Sequence, residues 1–523
     1  MENQNPAAGR STAMQSITRQ AERAMAALFT YPRDRFGWII AAMFLAGLLL
    51  FGLRRWGIFF NWGNLSFDFL DWAEVTGPRY AVLRDAITSG VLPLHVGNTT
   101  ATRGVTDRFF SIADMPFSPQ LLLLRFVWIG EYLFYDAVLF YLIGFVGLLL
   151  LARKFRLSPF AFAILFMLFN FNGNITAHYG VGHSIWTGYF LFPFFVLLVW
   201  SLVEKQAGGW RWALGFALVS LGVLMQGGLH KWVWMLLFLG VLGLFNLRLL
   251  KPVILGGLAS VLLALPRLLP PALALEGITQ EYLGGFPTVT ELISSLIVLK
   301  DPDRATMIIK TSIYPLNHWE ADYFIGLAGL AVLVIFGIVL PLRRDRSKDS
   351  PVVQVLVPCL ALTILSVGSI YGTLVELVPI PPFTGERVTA RIFLLPLVFL
   401  IVLAAVGLQR ALDRAHETGR LAFFWQRVLL LALPLVIWFD LDRHTQAWSI
   451  RYLDGLVYLF PKVPFVEEAH TVANHADAVY TNLMLGGLAV AVPALIVMIV
   501  MAVREARRAP HSSRGGAAVK GRI

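Results

Sequence analysis

Residues 392–407, IFLLPLVFLIVLAAVG, contain no charged and no hydrogen-bonding side chain, and Arg391 stands directly before them. With its flanks, such a run approaches the roughly 20 apolar residues that carry a helix across a bilayer. Comparable runs recur along the chain at about 36–53, 131–151, 158–172, 184–203, 211–226, 231–247, 252–270, 322–341, 352–372, 427–440 and 481–503. Strand-like alternation is not evident. The expected fold is therefore all-α, a polytopic transmembrane helical bundle of about twelve spans with long outer loops.

Composition points the same way. Of 523 residues, 57% are hydrophobic and only 14% charged, with a mean hydropathy of +0.69; soluble domains carry about a quarter charged residues. The net charge of +11 needs no nucleic-acid partner, because cationic cytoplasmic turns give a membrane protein the same excess. Cys359 is the single cysteine, so no intrachain disulfide can form. The first 30 residues are polar and alanine-rich and lack the apolar core of a secretory signal.

Orientation follows from the basic turns. Residues 1–35, with Arg19, Arg23, Arg33 and Arg35, form an expected amphipathic cytoplasmic arm ahead of the membrane domain at 36–503. The turns ARKFR, EKQAGGWR, NLRLLK and RRDRSK, the 409–427 segment and the disordered tail at 504–523 all carry Lys or Arg on the same side. Both termini are then expected inside. Three long loops, beginning at about residues 54, 271 and 441, face outward.

The outer face gathers the unusual polar residues. The segment 64–93, NLSFDFLDWAEVTGPRYAVLRDAITSGVLP, holds Asp68, Asp71, Glu74, Arg79, Arg84 and Asp85 beside the first span. Ionisable groups next to a span mark a solvated loop or a site. Asp68 and Asp71, three apart, would share a helical face, where one carboxylate raises the other's proton affinity or both are simply solvated. Arg387 and Arg391, four apart with Glu386 beside them, would share a face at the entry to the tenth span. They either snorkel to headgroups or hold an anion such as phosphate. His178 and His183 in AHYGVGHS, and His230 with Lys231 in GGLHKW, belong to glycine-bearing turns on that face. No HxxxH or HExxH spacing occurs, so metal ligands would have to converge from separate loops; no cofactor is expected. Neither GxxxxGK[ST] nor GxSxG is present, which excludes an ATP-driven pump within this chain.

Several segments resemble, in order, the landmarks of YfhO-type bacterial membrane proteins: LDWAEVTGPRYAVLRDAITSGVLPLHVGN (70–98), ADMPFSPQLLL (113–123), the turn at His178 to His183, GGLHKW (227–232), DYFIGLAGLAVL (322–333) and PPFTGERVTARIFLLPLVFLIVLAAVGL (381–408). That family lies in or near the GT-C group of membrane glycosyltransferases. The resemblance implies a protein of the bacterial cytoplasmic membrane that moves a sugar from a polyprenyl-phosphate donor to an outer glycan, lipid or protein acceptor. It also implies that Asp71 is the general base, with Asp68 a second candidate by proximity, and that Arg387 and Arg391 hold the lipid phosphate. Arg79, His183, His230 and Lys231 complete the expected donor-binding set. The rival classes are a transporter or flippase of a lipid-linked envelope intermediate and a noncatalytic assembly factor. A transporter calls for facing polar residues midway through several spans, whereas these polar groups gather at the outer ends.

Overall fold

The structure is a computed structural model and describes residues 19–65, 67, 71–88, 90, 116–204, 208–274, 284–300, 308–310, 315–344, 347–378, 385–421, 423–457 and 478–508. Asp68 and the tail beyond residue 508 lie outside these residues. Nine described helices are long and apolar enough to cross a membrane: α1 (Arg35–Phe59), α2 (Ile129–Phe155), α3 (Pro159–Val181), α4 (Ser184–Val203), α7 (Leu247–Leu273), α8 (His318–Arg344), α10 (Thr389–Glu417), α11 (Phe424–Ala447) and α12 (Thr481–Arg508). Three shorter apolar helices complete the series: α5 (Trp210–Met225), α6 (Leu229–Phe245) and α9 (Pro351–Leu365). The chain is thus an all-α, multi-pass helical protein. Its one described strand pair is short, Ile308–Lys310 against Pro315–Asn317.

Contacts between helix ends show which turns lie together. At one end, Phe29 of the arm helix at 19–29 stacks on Phe160 at the start of α3, with centroids 4.7 Å apart. Lys154 at the end of α2 meets Glu204 after α4 at 2.5 Å, and Arg211 N–H at the start of α5 donates to Glu505 of α12 at 2.9 Å. Asn246 after α6 donates to Gln354 of α9 at 3.1 Å. The basic turns therefore share one end of the bundle. Asp34 caps α1 there, and the Gly37 N–H and the Arg23 guanidinium hold its carboxyl below the usual carboxylate range.

α3 and α10 lie at the centre. Their most apolar windows are wholly buried, whereas those of α1, α11 and α12 are only 17% buried, as suits a lipid-facing surface. Gly407 of α10 lets its backbone approach the Phe336 carbonyl of α8, where any Cβ would collide.

Three expectations are corrected. NGNITAHYGV is not an outer loop: Asn172 breaks α3 and caps a second segment, Gly173–Val181, by accepting from Ile175 N–H. Its amide also donates to the Leu168 and Phe169 carbonyls left open by the break. The ninth apolar helix does not run to residue 372 but stops at Leu365, because Ser366 and Val367 turn aside to pair with Phe286; a new helix, Gly368–Leu377, then starts. Arg387 and Arg391 do not share a helical face: Arg387 is exposed in a bend, and Arg391 sits in the tight turn Thr389–Phe393 that opens α10.

Candidate functional site

The site lies at the end of the bundle opposite the basic turns. Asp71 opens the helix that runs to Thr88 after α1. Two bonds pin this segment to the end of α3: Trp72 Nε1–H donates to the Gly180 carbonyl at 3.0 Å, and the Thr76 hydroxyl to that of Gly182 at 2.5 Å. Gly182 ends α3 with φ +104°, and a Cβ there would strike the backbone of Asp71 and Trp72. A left-handed glycine thus turns the chain into His183 and lets the acidic segment press against α3.

His183 consequently reaches Asp71, with Nε2 2.7 Å from Oδ2. Its other nitrogen, Nδ1, is 2.6 Å from Nδ1 of His178, which is fully buried in α3. His178 stacks on Trp186 of α4 with centroids 3.8 Å apart, and Trp186 Nε1–H donates to Asn174 at 2.8 Å. Two cations meet the same indole: Lys231 Nζ lies 3.9 Å and the Arg391 guanidinium 5.2 Å from its centroid. Trp186 is 2% exposed, so it is a hub for these groups rather than an open stacking platform.

Carboxylates surround the cations. Glu320, at the start of α8, accepts from Arg391 Nε at 2.5 Å and Nη2 at 2.6 Å, a two-point fork. Glu386 accepts from Trp234 Nε1–H at 2.8 Å and meets His230 Nδ1 at 3.1 Å. Burial pushes the Glu386 carboxyl up, but His230, the Trp234 N–H and Arg391 outweigh it and leave it below the ordinary value. Among the described residues the cluster sets three carboxylates, Asp71, Glu320 and Glu386, against two basic side chains, Lys231 and Arg391.

Of the residues chosen from sequence, Asp71, His183, Lys231 and Arg391 converge on Trp186, and His230 borders them through Glu386. Arg79 lies partly buried on the Asp71 helix, and Arg387 points into solvent. Sequence reasoning named His178 beside His183 without placing it in the donor-binding set, and it did not select Trp186 or Glu320. The repeated histidine in HYGVGH was a signal for His178; Glu320, remote in sequence from Arg391, gave none. A second buried pair, His444 Nε2 with Asp322 Oδ2 at 2.9 Å, is backed by Thr176 Oγ1 at 3.0 Å from Nδ1 and ties α11, α8 and α3 together. All three side chains are sealed, which suits a structural tie rather than chemistry.

Among the described residues no group of three or more His, Cys, Asp or Glu side chains is arranged to hold a metal ion. Compared with models of known protein families and with curated proteins, the sequence matches none.

Proposed function

We propose that this protein is a membrane glycosyltransferase that moves a sugar from a polyprenyl-phosphate donor to a hydroxyl acceptor at the outer face of a bacterial cytoplasmic membrane. The observation that carries the reading is the convergence of Asp71, through His183, with Lys231 and Arg391 around Trp186, from three helices far apart in sequence. Inverting transfer from a glycosyl phosphate needs one base for the acceptor hydroxyl and cations against the departing phosphate. The resemblance to YfhO-type proteins implies the same roles for Asp71 and Arg391.

In this reading all twelve apolar helices cross the membrane, both termini are cytoplasmic and the site faces outward. The mechanism uses no ATP. Asp71, 30% exposed at its side chain, takes the proton; the acceptor oxygen attacks the anomeric carbon; the C–O bond to the lipid phosphate breaks with its electrons on phosphate. Lys231, buried against Trp186, adds its charge to the phosphate site, and Arg387 lies in the exposed bend. Arg391, already forked to Glu320, supplies charge and orients the pocket.

A second reading, a proton-coupled carrier of a lipid-linked intermediate, draws on the excess of carboxylates over cations and on the pairing of Asp71 and Glu386 each with a histidine. Single turnover of purified protein with radiolabelled polyprenyl-phosphate sugars and a membrane extract separates the two. Asp71→Asn should retain donor binding and lose transfer by about 10² or more. Full transfer by Asp71→Asn would end the catalytic reading, and a wild type that moves lipid across vesicles without any glycosylated product would establish the carrier.

A further inference from the structure

His178 has no role in the chemistry above, yet it occupies the far end of a continuous chain: Asp71 Oδ2 to His183 Nε2 at 2.7 Å, then His183 Nδ1 to His178 Nδ1 at 2.6 Å. Two observations at opposite ends of this chain decide where its protons sit. At one end, an ionised carboxylate can only accept, so His183 must carry its proton on Nε2. When His183 is neutral, its Nδ1 is then a bare lone pair. The only arrangement that makes the 2.6 Å contact a hydrogen bond is a proton on His178 Nδ1, donated to His183. At the other end, His178 Nε2 is buried and lacks a hydrogen-bond partner among the described residues. An imidazole buried with one nitrogen unpaired leaves an acceptor unpaired at lower cost than an N–H donor. That again places the proton on Nδ1. The two ends are independent, and they agree.

We propose that His178 is a positioning residue: its Nδ1–H occupies the Nδ1 lone pair of His183, which keeps that imidazole neutral with its Nε2–H aimed at Asp71. Without that donor, Asp71 still holds the His183 proton on Nε2, but Nδ1 is left a bare lone pair open to a second proton. His183 then turns to imidazolium, and its charge beside the carboxylate changes the acidity range in which Asp71 works. The groups that face the pair are Asp71 from the first outer segment, Lys231 from α6 and Arg391 from α10. Only the naming of Asp71 as a base rests on the proposed function; the protonation pattern stands without it.

The test is ¹⁵N NMR of the full-length, histidine-labelled protein at neutral pH, with His178→Gln and His183→Gln used to assign two of the ten histidines. The expected spectrum shows both imidazoles neutral, His183 protonated at Nε2 and His178 at Nδ1. His178→Phe should shift the His183 resonances to the cation. It should also move the pH profile of kcat with little change in KM, and His178→Gln, which retains an N–H donor, should restore much of both. A His178 protonated at Nε2, a doubly protonated imidazole in the wild type, or a His183 spectrum unchanged in His178→Phe would each overturn the proposal. Should His178→Phe fail to fold, the wild-type spectrum alone decides. A wild type with the expected tautomers but no glycosyl transfer would refute the proposed activity and leave this inference intact.

Discussion

Arg391 shows how far a single residue could be read. Its place before an apolar run marked it as special, and the structure does bring it to the site. What the sequence hid was its partner, because Glu320 belongs to another helix and no local spacing links them. With both side chains largely buried, removing one leaves the other charged and unpaired, a loss of about 3–5 kcal/mol. Glu320→Ala is therefore expected to unfold at markedly lower temperature in detergent, and Arg391→Lys, which keeps charge but loses the fork, to show a smaller drop together with weaker turnover. Wild-type thermal stability in Glu320→Ala would show the fork to be energetically idle. Glu386 makes a different prediction. Because its folded-state carboxyl lies below the ordinary value, its stabilisation is full at neutral pH and is lost only as pH falls through that depressed value. Glu386→Gln should lower stability by about 1.5–3 kcal/mol at pH 7, the worth of charge-assisted hydrogen bonds. The gap to wild type should close at low pH; a gap that instead widens on acidification contradicts the assignment.

At the scale of elements, hydropathy located the apolar helices well and their ends poorly. Ends depend on capping and on what the chain meets next. Asn172 looks like a loop residue in NFNGN, yet its amide bridges the two halves of α3. Ser366 sits in an apolar stretch, yet its carbonyl is taken by Phe286 N–H and the helix stops. Gly182 is the element junction on which the site depends. Gly182→Ala should cost about 1–3 kcal/mol of backbone strain and also displace Asp71, so turnover should fall further than stability alone explains. Gly419→Ala serves as the control, since Gly419 also has positive φ but an added Cβ meets open space. Equal losses of turnover in the two variants would show that the close approach at Gly182 is not what positions Asp71.

For the whole molecule, contacts at the two ends of the bundle gather the basic turns at one end and the candidate site at the other. The short helices α5, α6 and α9 were the weak points of the hydropathy reading. Their ends make contacts of both kinds: the Arg211 N–H meets Glu505 at one end, and Lys231 meets Trp186 at the other. On a Cys359→Ala background, a cysteine at exposed Thr88 should react with an impermeant thiol reagent in intact cells, and one at exposed Ser347 should not. The reverse pattern would turn the molecule over and put the site in the cytoplasm. The central position of α3 and α10 has a further consequence. Helices that touch lipid answer a thicker or thinner bilayer by tilting, at a fraction of a kcal/mol per ångström of mismatch. Here that adjustment falls on α1, α11 and α12, while His178 and Arg391 ride on helices whose apolar windows meet only protein. Reconstituted across lipids of increasing acyl length, the protein should keep a nearly constant turnover while fluorescent labels on α12 report a changing tilt: the outer helices act as a suspension, and the chemistry is carried on the frame inside it.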